Sequence, residues 1–279
     1  MLVALDPLGD GREVQRVRQS DDRVRERRLL GAGVDAMLED PTLPRHVPLV
    51  RVVDQDLTSR MTEYVVQHVL DQHRQGPLHR AAQARGAWIG PDQWAAKSVR
   101  VGIMGLGEIA RDAAEVLGRI GFQLIGWSNT PKVIPGMKCY AGAKGLQPFL
   151  AQTDILVVLL PLTPDTRGMV NRELLSGLAR DGVLGKPVLI NAGRGGLQVE
   201  GDILGCLDNG TLGWATLDVF STEPLPESSP IWTHPRVTIT PHNAADSDPD
   251  AISHYVIDQI RNFERGGALR NVVDFAKGY

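Results

Sequence analysis

Three ionisable residues stand just past the ends of apolar runs in the second half of the chain. Arg194 follows "VLINAG" inside "GRGG", Glu223 follows "TLDVFST", and His242 follows "VTITP". An imidazole can exchange a proton near neutral pH, and a carboxylate on its other nitrogen fixes the tautomer and favours the charged form. A guanidinium can grip a carboxylate bidentately. Beside a nicotinamide ring the set suits reduction of a 2-oxo acid, with Arg194 on the substrate carboxylate and a proton from His242. Each residue also has a plainer reading: a histidine closing a turn after Pro241, a surface arginine, a turn acid before Pro224. Asp218, on the preceding run, is either a buried cap or a hydrogen-bond acceptor on the cofactor side.

The cofactor would be held by a glycine loop. "VRVGIM" runs into Gly105-Leu106-Gly107-Glu108-Ile109-Ala110 and then into a helical pattern, which is the strand–turn–helix setting that gives G-x-G-x-x-G/A its meaning. Gly105 suits the tight turn, Gly107 the approach of a pyrophosphate, and Ala110 close helix-to-strand packing. The helix amino end adds N–H donors and a favourable dipole. An acid after the second strand would bind the ribose 2′-hydroxyl and select NAD. In its place stands "GWSNTPK", with Ser128, Asn129 and Thr130 as neutral donors and Lys132 as a cation. NADP(H) is therefore the expected preference. NAD(H) stays open, because no arginine supplies the better phosphate clamp.

These residues need a scaffold that brings strand ends together. Near-continuous apolar runs at 99–105, 123–128, 153–161, 187–193, 213–220 and 237–240 alternate with helical patterns such as 108–121. That alternation predicts an α/β fold, a Rossmann-type doubly wound parallel sheet covered on both faces. Upstream, 10–28 reads as a solvated charged segment and 47–57 as a short strand entering a loop. Residues 59–75 read as an amphipathic helix, 76–99 as a polar, irregular domain crossing, and the stretch from about 250 as a closing helix. A net charge of −3 offers nothing to nucleic acid or an anionic membrane. No apolar run reaches the roughly 18–20 residues of a membrane span, and the first residues lack a secretory pattern. Cys139 and Cys206 are too few for a disulfide framework and unspaced for metal. A cytoplasmic protein with no metal site is expected.

The motifs together resemble the D-isomer-specific 2-hydroxyacid dehydrogenases, most closely the glyoxylate/hydroxypyruvate reductase A group. They are "LGAGVDAML" (30–38), "MTEYVV" (61–66), "VGIMGLGEIA" (101–110), "WSNTPK" (127–132), "LLPLTPDTRGMVN" (159–171), "NAGRGG" (191–196), "LDVFSTEPLP" (217–226) and "VTITPHNAA" (237–245). The resemblance implies Arg194 as the substrate-binding arginine, Glu223 as the acid that orients the histidine, and His242 as the acid/base. It implies that Ala32 and Gly33 hold the substrate carboxylate, and it extends the cofactor contacts to Leu160, Pro161, Ala192, Gly193, Asp218 and Ala244. It also implies a second, smaller flavodoxin-like domain built from 1–75 plus 257–279, a dinucleotide-binding domain over 76–256, closure of the two over the substrate, and a homodimer. Only about thirty residues precede "GAGVD", so the small domain is expected to be truncated at its amino end. The rival expectation is a dinucleotide-binding sensor module without efficient turnover.

Overall fold

A computed structural model describes residues 34–278. The segment 10–28, the pair Ala32 and Gly33, and the expected truncation lie outside the described residues. The described residues divide into two compact units, one of 34–58 with 245–278 and one of Ser59–Ala244. Both boundaries fall earlier than the expected 75/76 and 256/257.

The apolar runs of the larger unit form β1 (Arg100–Met104), β2 (Gln123–Ser128), β3 (Met137–Ala141), β4 (Ile155–Val158), β5 (Val188–Asn191), β6 (Trp214–Leu217) and β7 (Val237–Ile239). They make one sheet in the order β3-β2-β1-β4-β5-β6-β7, parallel at every pairing. Val101, Ile103, Met104 and all of β4 are fully buried, as a sheet covered on both faces requires. The strand order reverses between β1 and β4, so the loops after those strands part and leave a crevice at their carboxyl ends.

Helix α1 (Glu108–Ile120) follows β1 and shows how the sequence sets its own limits. Ala110, Ala113, Ala114 and Leu117 are its buried stripe, at the i, i+3, i+4, i+7 spacing of one helix face. Gly121 ends the helix at φ 105°, donating its N–H to the carbonyls of Leu117 and Gly118. On the far half of the sheet, Leu156, Val158, Leu189, Leu197, Leu207 and Leu217 share a core with Phe149.

Several elements differ from expectation. The helix expected at 59–75 runs from Gln55 to His73, because the Asp54 carboxylate accepts the N–H of Leu57 at 2.9 Å and caps the start. The stretch expected to be irregular holds a helix at Gly76–Gln83, started by Pro77 in the first turn. Strand β3 was not anticipated. Within the smaller unit, and among the described residues, 47–57 holds bridge residues only at Leu49 and Val50 rather than a longer strand. Val50 bridges Val272 in antiparallel fashion, flanked by Arg51 N–H to Asn271 at 2.9 Å and Val273 N–H to Leu49 at 2.8 Å. The closing helix Pro249–Glu264 adds Ile252 and Val256 to Val52 in that unit's core. Its Gln259 side chain brackets the backbone of Arg270, donating to the carbonyl and accepting from the N–H.

Candidate active site

The sheet order places the loops after β5, β6 and β7 side by side, which is what brings Arg194, Glu223 and His242 to one edge. His242 Nδ1 lies 2.7 Å from Glu223 Oε2. The second oxygen, Oε1, accepts the N–H of Phe220 at 2.9 Å. A carboxylate pinned on both oxygens gives the imidazole a fixed partner. Because that partner only accepts, Nδ1 carries the hydrogen and Nε2 faces outward for chemistry. The Glu223 side chain is 18% exposed and that of His242 47%, so the acid is held inside while the ring reaches solvent.

His242 sits at φ 53°, a left-handed backbone uncommon for a residue other than glycine. Its N–H donates to the carbonyls of Asp218 at 2.8 Å and Thr240 at 3.0 Å. The Asp218 side chain, 1% exposed, takes the rest of the turn. Oδ1 accepts the Thr240 hydroxyl at 2.6 Å and the Asn243 N–H at 3.0 Å, and Oδ2 accepts the Ala244 N–H at 3.1 Å. Of the two expectations for Asp218, the geometry displays the buried cap.

Arg194 is half-buried at the start of a short 3₁₀ turn, and its Nη1 donates to the Gly193 carbonyl at 2.7 Å. Beneath it, Asn191 is fully buried at the end of β5. The Asn191 amide accepts the Gly193 N–H at 3.0 Å and donates to Gln198 Oε1 at 2.8 Å. Gln198 in turn donates to the Val219 carbonyl at 2.9 Å. These two amides tie the arginine loop to the loop carrying Asp218. Neither was singled out in the sequence, although a polar residue closing the apolar run "VLIN" is the signal that could have found Asn191.

At the other side of the crevice the two loop glycines differ. Gly105 has φ 101°, and a Cβ there would lie 2.7 Å from the carbonyl oxygen of Leu159, so the fold itself demands glycine. Gly107 has φ −85°, and a Cβ there would meet nothing within 4 Å. Among the described residues nothing fills the space over Gly107, and its lack of a side chain leaves the amino end of α1 without a side-chain cap from that position. Both features fit a phosphate group approaching the backbone of Glu108 and Ile109. Leu106 is buried, and Ala110 is fully buried against the sheet.

At the end of β2, Ser128 is buried and its hydroxyl donates to the Thr130 carbonyl at 2.8 Å, while Asn129, Thr130 and Lys132 are exposed. No carboxylate stands in this stretch. Beyond β4, Leu160 is buried and the Pro161 carbonyl accepts the Thr166 hydroxyl at 2.8 Å. Ala192 is buried, its N–H on the Val158 carbonyl at 3.2 Å.

Residues 66–244 match the family model of the D-isomer specific 2-hydroxyacid dehydrogenase NAD binding domain. The chain belongs to this family. Among its members, the glyoxylate/hydroxypyruvate reductase A of Serratia proteamaculans (strain 568) is 40% identical over 255 residues, 90% of this chain and 80% of the relative. A crystal structure of the NADPH-dependent glyoxylate/hydroxypyruvate reductase of Sinorhizobium meliloti, in complex with NADP and sulfate, aligns with a TM-score of 0.87. It is 51% identical and the match covers 90% of this chain and 78% of that one. A probable 2-hydroxyacid dehydrogenase of Rhizobium etli CFN 42, in complex with NADP, HEPES and L(+)-tartaric acid, aligns at 0.86 with 48% identity, over 89% and 78%. As in the dehydrogenase fold generally, the glycine loop, the β2 end and the His242 turn all open on the carboxyl edge of the sheet.

Proposed function

We propose that this chain is an NADPH-dependent reductase of small 2-oxo acids of the glyoxylate and hydroxypyruvate type. The observation that carries the reading is the His242–Glu223 pair, 2.7 Å apart, on the same sheet edge as a glycine loop with room for a dinucleotide phosphate. The two reductase relatives named above support the substrate class and the cofactor.

When bound, the dihydronicotinamide supplies a hydride to the substrate carbonyl carbon. The chain's own residues do the rest. Arg194 holds the carboxylate of the substrate and draws charge toward the carbonyl oxygen. His242, charged and steadied by Glu223, gives its Nε2 proton to that oxygen as it becomes an alkoxide, a contribution of about 10²–10⁴ in rate. Glu223 keeps the ring in one orientation and one tautomer. The N–H groups at the start of α1, from Glu108 and Ile109, bind the pyrophosphate. Asn129, Thr130 and Lys132 receive the 2′-phosphate, and the neutral end of β2 removes the repulsion an acid would impose. Leu160, Pro161, Ala192, Gly193 and Ala244 line the approach between these points. Ala32 and Gly33 bind the substrate carboxylate, and the smaller unit is the substrate domain.

The working form is a homodimer. In the segment 76–99, Trp88 is completely exposed and Leu78 and Trp94 are 41% and 43% exposed, apolar surface suited to a second copy. The location is the cytoplasm, in keeping with the unpaired thiols of Cys139 and Cys206; among the described residues no helix is long and apolar enough to cross a membrane. The rival sensor role is disfavoured, because binding alone gives no use to a histidine held on an acid. Oxidation of NADPH by glyoxylate or hydroxypyruvate tests the proposal directly, with NADH run in parallel. Turnover with NADPH above that with NADH is expected; tight NADPH binding without turnover on either acid would overturn it.

A further inference from the structure

The His242 turn hangs on Asp218, and Asp218 is itself reached from a distant helix. The Tyr64 hydroxyl, on the helix Gln55–His73, lies 2.8 Å from the Thr240 hydroxyl. Thr240 Oγ1 lies 2.6 Å from Asp218 Oδ1. The direction of these bonds follows from chemistry. Asp218 Oδ1 also accepts the Asn243 N–H, so it acts as a carboxylate and can only accept. Thr240 has one hydrogen and gives it to Asp218. The phenol of Tyr64 must therefore donate to Thr240. Burial pushes the Tyr64 phenol pKa far upward, against the smaller opposing effect of the Thr240 bond, so the donor keeps its proton at any working pH.

We infer that Tyr64 is a positioning residue for the proposed reduction, acting through Thr240 and Asp218 to hold the His242 turn in its left-handed backbone. The inference rests on the proposed function above. Asp218 binds residues 240, 242, 243 and 244 at once, by its carbonyl at His242 and its carboxylate at the other three. A hydroxyl that both accepts and donates is polarised, and the bond it gives is strengthened. Without the phenol hydrogen, Thr240 Oγ1 is left in a half-buried place with an unfilled acceptor and a rotor free to leave Asp218. The turn then has fewer constraints against its unfavourable φ, and the His242 ring samples orientations off Glu223. The packing of the tyrosine ring, 4.2 Å from the His68 ring centroid, is unaffected by loss of the hydroxyl alone.

The test compares Tyr64→Phe with wild type in both the intact and the His242→Gln backgrounds, with Thr240→Val and Thr240→Ser beside them. Tyr64→Phe is expected to lower kcat about fivefold to tenfold, the kinetic equivalent of one hydrogen bond, with NADPH Kd and KM within about twofold. Thr240→Val should match it or exceed it, Thr240→Ser should retain wild-type kcat, and Tyr64→Phe should change nothing further once His242 is gone. Nitrogen-15 NMR of the His242 imidazole, free of any substrate, should show one neutral tautomer in wild type and a mixture in Tyr64→Phe. Equal fold-losses with and without His242, or an unchanged tautomer, would overturn the inference. Should wild type show no turnover, the proposed function fails while the NMR arm still decides whether Tyr64 positions the ring.

Discussion

Gly105 and Gly107 stand two residues apart in one loop, yet replacing them should break different things. Gly105→Ala forces a left-handed backbone at φ 101° and drives a methyl to 2.7 Å from the Leu159 carbonyl oxygen. The backbone term is about 1–2 kcal/mol, and displacing a main-chain carbonyl brings the total to roughly 2–3 kcal/mol. For a domain of this size that lowers Tm by roughly 5–10 °C. Gly107→Ala meets nothing within 4 Å, at φ −85°. The apo protein should keep its Tm, or gain slightly, since alanine reduces the freedom of the unfolded chain. The methyl instead occupies the space proposed for pyrophosphate. Losing one charge-assisted N–H contact is worth about 1.5–3 kcal/mol, so the NADPH Kd should rise roughly tenfold to a hundredfold. Thermal unfolding with and without NADPH, plus a fluorescence titration of the nucleotide, separates the two effects. A Gly107→Ala protein that binds NADPH as wild type does would refute the reasoning, as would a large loss of apo stability.

Glu223→Gln keeps the size of the side chain but removes the charge facing His242; kcat should fall by about tenfold to a hundredfold with NADPH affinity unchanged, as steady-state kinetics and a binding titration would show. Lys132→Glu places an anion beside the expected 2′-phosphate, so KM for NADPH should rise about tenfold while KM for NADH hardly moves. Stability should also depend on pH. His68 and His73 are buried, burial lowers the pKa of each, and neither Nδ1 finds a hydrogen-bond partner among the described residues. Depressed folded-state values mean that the unfolded chain takes up protons first as pH falls. Their contribution is therefore whole above about pH 6.5 and is lost progressively below it. The Tm should drop between about pH 7.5 and pH 5, and drop less in His73→Leu; a flat profile would contradict the assignment.

The sequence was most informative where burial is strongest. Strands β1, β4 and β5 are apolar along their length because both faces are covered, and their positions follow from that alone. Strand β3, "MKCYA", sits at the sheet edge with only Met137 buried, so it lacks an apolar run and escapes notice. The helix at Gly76–Gln83 opens with Gly-Pro, which reads as a break until one sees that proline suits a first turn. At 47–57, Val47, Val50 and Val52 are buried, and among the described residues the stretch pairs only through short bridges, so its apolar residues do not mark a long strand. The pairing of Glu223 with His242 was foreseeable from residue types at adjacent strand ends. The Tyr64–Thr240 contact joins residues 176 apart, a separation that no local pattern encodes. Likewise Asp218 was ambiguous in sequence, since a carboxylate beside a strand end serves equally to cap a turn or to meet a ligand.

The most direct test of the account is kcat for hydroxypyruvate with NADPH in wild type and His242→Gln, with the NADPH Kd measured on the same preparations. A loss of about 10²-fold or more in kcat at unchanged Kd is predicted. Equal turnover in the two proteins would contradict the assignment of His242 as the proton donor.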